Sequence, residues 1–161
     1  MDKLLFGVLL TVIWWMLHAL QLDEERAMGM LHEAKRAVNR AAHAAAQQVD
    51  RDKLEMGILS VDPERARETA DLYLQVNLRL DDDFRPLPHS PLREPPTVRV
   101  LDIINEDCVF PYTYDNPEYD YRVTLHRPGV VLVVRVPFPR LFGVLGPVVW
   151  DVKGVAELVH D

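Results

Sequence analysis

An α+β fold, with a long N-terminal helix packed on a small antiparallel β-sheet, follows from three observations. An apolar run opens the chain, an alanine-rich amphipathic stretch succeeds it without an intervening proline, and strand-like segments fill the last third. The helices-then-strands order places the sheet against whichever helix face needs cover.

The apolar run, Leu4 to Leu22, reads LLFGVLLTVIWWMLHALQL and carries no formal charge over its 19 residues. As a helix it is about 28 Å long, close to the roughly 30 Å of a bilayer's hydrocarbon core. Leu4, Phe6, Leu9, Val12, Ile13, Trp14, Trp15 and Leu17 are its candidates for contact with lipid or with a helix bundle. Its end, His18-Ala19-Leu20-Gln21, lacks the small-residue pattern of a signal-cleavage site, so the segment is expected to stay on the chain. Lys3 precedes it and Asp23, Glu24 and Glu25 follow, which predicts an N-terminus toward the cytoplasm and an outward-facing remainder. The chain thus divides into a spanning or bundling segment, 1–22, and an exported domain, 23–161.

From residue 23 to about 56 the apolar positions narrow to a stripe, predicting that the first helix continues, with Gly57 ending it. Continuous from residue 4, it is about 80 Å long. Leu31, Ala34, Val38, Ala41 and Ala45 are the candidate packing residues of this stripe. Ala34, Ala37, Ala41, Ala42, Ala44, Ala45 and Ala46 make the face small enough for a close neighbour. That neighbour is either the chain's own sheet or another copy.

Asp62-Pro63-Glu64 is a helix start, capping residue then proline in the first turn, and predicts a helix over 63–77. Pro86, Pro88, Pro91, Pro95 and Pro96 make 81–97 an extended connector. Strands are predicted at 98–104, 121–126, 130–136 and 148–159, the second and third joined by a hairpin turn at Arg127-Pro128-Gly129. Residues 137–147 read as an irregular link rich in proline and glycine.

A net charge of −7 without a conspicuous basic run argues against a nucleic-acid partner. Cys108 is the sole cysteine, so the fold forms without an internal disulfide, and the residue reads as a passive, partly buried thiol. The six histidines are scattered, and no metal, cofactor or nucleotide motif is present, so neither cofactor nor catalysis is expected. Asp81 to Asp83 and the acidic residues at 115–120 lack calcium-loop spacing and read as solvated turns. The dense aromatics between Phe110 and Tyr121 either pack on the sheet or offer Tyr112, Tyr114 and Tyr119 as a contact surface.

A membrane-length helix, an alanine-rich continuation and a terminal sheet together resemble the type IV pilins and pseudopilins. The segment AKRAVNRAAHAAAQQVD, residues 34–50, is similar to the post-anchor helix of the minor pilins of tight-adherence systems. The prepilin processing signature is not matched, because Gly7 lies inside the apolar run and Val12 stands where those proteins carry a glutamate. The resemblance implies a non-enzymatic structural subunit of a surface filament or envelope assembly, with copies of itself or pilin-like subunits as partners. The alternative is a single-pass membrane-anchored accessory protein whose outer domain binds a partner.

Overall fold

The computed structural model describes residues 2–140 and 148–159. Helix α1 (Asp2–Ala46) comes first, then a one-turn helix α2 (Arg51–Glu55) and helix α3 (Pro63–Leu78). Five strands follow: β1 (Thr97–Ile104), β2 (Tyr112–Asn116), β3 (Tyr121–Leu125), β4 (Gly129–Phe138) and β5 (Val148–Glu157). The α+β class, with a long N-terminal helix laid on a small antiparallel sheet, is observed.

Helix α1 is shorter than the sequence implies. It stops at Ala46, so its 45 residues span about 68 Å instead of 80 Å. The reason is a competing pairing: Val49 bridges Val61, the Asp50 amide donates to Ser60 O at 2.9 Å, and the Asp62 amide donates to Gln48 O at 2.7 Å. Asp50 then caps α2 by accepting from the Lys53 amide at 3.1 Å, and Gly57, at φ 78°, closes that turn. Helix α3 keeps its expected start, Asp62 accepting from the amides of Glu64 and Arg65 at 3.1 Å each.

Sheet connectivity also departs from a simple meander. β1, β4 and β5 form one antiparallel sheet in the order β1-β4-β5, while β2 and β3 form a separate two-stranded ribbon. Arg127-Pro128-Gly129 is therefore no hairpin turn; it is a corner where the chain leaves the ribbon and enters the central strand of the sheet. Of the expected link 137–147, Pro137 and Phe138 complete β4, pairing with Val149 and Val148, and residues 141–147 lie outside the described residues.

Three layers result. Val130, Leu132, Val134 and Val136 of β4 face α1 and α3, burying against Ala34, Ala41, Ala45, Leu74 and Leu78. Val131 faces the other way, onto Leu125, Tyr114 and the ribbon. Cover on both sides explains why GVVLVVRV is nearly unbroken apolar sequence rather than an alternating strand. Arg135 and Asp151, directly paired across β4 and β5, form a two-pronged ion pair at 2.8 and 2.9 Å that fixes the register. The guanidinium holds the Asp151 carboxyl below its ordinary range.

Candidate functional site: an uncovered arm and an aromatic ribbon

The alanine stripe belongs to the monomer's own core. Ala34, Val38, Ala41 and Ala45 are fully buried and Leu31 packs at their margin, so the close neighbour is intramolecular. Gly154 of β5 makes the approach possible: a Cβ there stands 2.9 Å from Val38 Cγ1 and 3.2 Å from Val38 O. Lys35 adds a polar tie, donating from Nζ to the carbonyl of Lys153. Burial, then the nearby Lys153 charge, lowers the affinity of the Lys35 amine for its proton.

No such cover reaches the start of the helix. From Leu4 to Leu17 the large apolar side chains are 45% to 78% exposed, Ile13 least and Leu4 most, and α1 runs from them into the core without a break. Leu4, Phe6, Leu9, Val12, Ile13, Trp14, Trp15 and Leu17 therefore all project beyond the folded domain. This helix is long and apolar enough to cross a membrane, and among the described residues its apolar window is buried by none. Fully burying one such side chain is worth about 1.5–3 kcal/mol, so covering the dozen from Leu4 to Leu17, each 45% to 78% exposed, is worth on the order of 10–20 kcal/mol. A contiguous exposed apolar surface of this size is of the kind that marks a contact with membrane or protein.

The arm's polar groups are turned inward on its own backbone. Thr11 Oγ1 donates to Gly7 O at 2.9 Å, and His18 Nδ1 lies 3.2 Å from Trp14 O. A carbonyl only accepts, so Nδ1 carries a proton there. The His18 ring also rests on the Trp14 ring at a centroid distance of 4.0 Å.

On the other side of the sheet, the residues between Phe110 and Tyr121 are ordered by an unexpected strand. β2 pairs with β3 from Tyr112↔Leu125 to Asn116↔Tyr121, and a short 3-10 turn, Pro117–Tyr119, joins them. The signal was present as period-two alternation, half-buried Tyr112 and buried Tyr114 against exposed Thr113 and Asp115. Tyr114 and Tyr119 are 7% and 9% exposed, so they are core side chains and not a contact surface; Tyr112 is half buried at the margin. Tyr114 OH donates to Asp102 Oδ2 at 2.6 Å and accepts from Asn116 Nδ2 at 3.2 Å. Burial above all, with that bond to Asp102, pushes the Tyr114 phenol up to about 12. Cys108 is half buried beside this cluster, its thiol pushed up by burial and by Asp107.

No protein-family model, curated protein or solved structure matches this chain. Among the described residues no group of three His, Cys, Asp or Glu side chains converges on a metal position. What the molecule presents is an exposed apolar helix long enough to span a membrane, continuous with the helix that packs on the sheet.

Proposed function

We propose that this chain is a structural subunit of an extracellular filament or pilin-like envelope assembly, packed through its N-terminal helix against copies of itself or pilin-like partners. The observation that carries the reading is the uncovered arm, continuous with a helix whose next 20 residues are locked into the core. A rigid junction of that kind holds each head at a fixed position around a bundle of arms. The chain enters the assembly from a membrane-inserted state with its N-terminus toward the cytoplasm, and its head lies at the cell surface.

Leu9→Cys or Ile13→Cys in a Cys108→Ser chain, oxidised in intact cells, tests this. The expected result is a ladder of disulfide-linked multimers, with the same chain present in sheared surface material seen by electron microscopy. Recovery solely as an uncross-linked monomer from detergent-solubilised membranes would sink the filament reading. That outcome supports the second reading, a single-pass anchored accessory protein. Thr11 and His18 favour it, because both bond to their own helix and need no partner helix in lipid.

A further inference from the structure

Two adjoining hollows of about 410 and 490 Å³, sharing Glu33 and Pro91 in their walls, form one groove between the outward face of α1 and the connector after α3. Arg26, Arg36 and Arg40 contribute from α1, at a spacing that runs the groove about 21 Å along the helix. Arg79 and Arg93 contribute from the other wall. Left-handed backbone at Arg79 (φ 55°) and His89 (φ 68°) folds the connector back along α1, and Ser90 Oγ pins it by donating to Leu78 O at 2.6 Å.

The guanidinium groups are oriented by neutral acceptors. Arg40 Nη1 donates to Asn77 Oδ1 at 2.8 Å, Arg79 Nη1 to His89 O at 2.7 Å, and Arg36 Nε to His32 O at 3.4 Å. Among the described residues none of the five arginines is ion-paired with a carboxylate, and Glu33 is the one acid lining the groove. In a chain of net charge −7, five arginines to one glutamate make a concentrated positive strip.

The complementary charge lies on the opposite side of the same molecule. Asp115, Glu118 and Asp120 are exposed at the tip of the β2–β3 ribbon, the layer across the sheet from α1; Asp115 pairs with Arg122 at 3.6 Å, while among the described residues Glu118 and Asp120 are in no ion pair. Tip and groove are linked to one stretch of α1 through β5. Lys35, in the middle of the groove's helical stretch, touches the Lys153 carbonyl, and Lys153 Nζ donates to Asp120 O at 3.0 Å. Subunits standing side by side with parallel arms thus turn the acidic tip of one toward the basic groove of the next. A contact between two different patches is heterologous, and repeats without closing on itself when its rotation does not complete a ring.

We propose that the arginine groove between α1 and the connector receives the acidic ribbon tip of a second copy of this chain, making the head-to-head contact of the assembly. The inference rests on the filament reading above. Carboxylates meeting oriented guanidinium groups make two-pronged bonds, so the contact specifies neighbour and register more than it adds affinity.

The test places a photo-crosslinking amino acid at Arg36 in the full chain in its native membrane, with products mapped by mass spectrometry. Cross-links to residues 115–120 of another copy are expected, falling by about tenfold or more in an Arg26→Glu/Arg40→Glu chain or an Asp115→Arg/Glu118→Arg chain. Mixing those two chains gives a heterodimer cross-linked at wild-type yield, because the charge-reversed groove then meets the charge-reversed tip. All four positions are exposed, and unchanged circular-dichroism melting verifies that the heads stay folded. Cross-links that map elsewhere, or a yield indifferent to both reversals while arm disulfides still form, overturn this contact and leave the filament reading standing. Arginine-dependent flotation of the chain with phosphatidylglycerol vesicles, without protein cross-links, overturns it in favour of lipid headgroups. Loss of the arm disulfides themselves overturns both.

Discussion

Gly154→Ala isolates the close approach of α1 to the sheet. The added methyl carbon meets Val38 Cγ1 at 2.9 Å and Val38 O at 3.2 Å, where carbon pairs are most stable at about 3.5–4.0 Å. The first contact is relieved by a side-chain shift; the second is with helix backbone, and α1 must rise off β5. Overpacking of this kind costs about 1–3 kcal/mol, while alanine in place of glycine returns about 0.5–1 kcal/mol of backbone entropy. A net loss of about 1–2 kcal/mol lowers the midpoint of thermal unfolding by about 3–8 °C for a head of this size. Fluorescence of Trp150, half buried on β5, reports the transition in detergent micelles once Trp14 and Trp15 are replaced by Phe. A Val38→Ala partner removes the 2.9 Å contact and leaves the carbonyl, so the double variant recovers part of the loss, with a coupling of about 0.5 kcal/mol or more. An unchanged or raised midpoint in Gly154→Ala, or strict additivity with Val38→Ala, refutes the packing argument.

Two further outcomes follow from the same core. Ala41→Leu inserts a larger side chain where Ala41 is fully buried in the cluster with Leu74, Leu78 and Leu132, and is expected to destabilise the head by about 1–3 kcal/mol in a thermal melt; normal melting with lost assembly would instead put Ala41 at a subunit interface. Tyr114 has its phenol pushed up to about 12, above the ordinary tyrosine value near 10, so its stabilising contribution is complete below pH 10 and disappears as pH rises toward 12. Tyrosinate absorbance should show a component near pH 12 that Tyr114→Phe removes, at a cost near neutrality of about 0.5–1.5 kcal/mol from the lost bond to Asp102; a component that persists in the variant assigns it to another tyrosine.

Local chemistry made most of the fold legible. Asp62-Pro63 marked the start of α3, the prolines of 81–97 marked the connector, and the valines of β4 marked the buried strand. What escaped was decided by partners distant in sequence. Absence of proline permitted a helix to residue 56, yet Val49 gained more from bridging Val61, and Asp50, a good capping residue, had announced the new start. Arg127-Pro128-Gly129 has the composition of a hairpin turn, and nothing local records that its two strands join different sheets. The eight arm residues stand clear of the head on the N-terminal part of α1, whereas Tyr114 is withdrawn by a ribbon folding onto Val131 and Tyr119 is buried in the turn that joins its strands. The basic groove had no sequence signal, since its five arginines are spread from residue 26 to residue 93 and gather only when the connector doubles back on α1.

The position of the alanine face changes what the arm must do. Had Ala34, Ala41 and Ala45 been exposed, α1 would carry two independent apolar surfaces. With that face consumed by β4, β5 and α3, the apolar contact left to α1 is the arm itself. Among the described residues the arm finds no cover, because a 45-residue helix whose C-terminal half is anchored in the core does not fold its first half back onto the head. On the filament reading, cover is supplied from outside at every stage, and assembly exchanges lipid neighbours for helical ones. Such an exchange brings little hydrophobic gain, since lipid tails and leucine side chains are equally apolar. On that reading specificity comes from the heads, through the proposed contact of the arginine groove with the acidic tip of a neighbour.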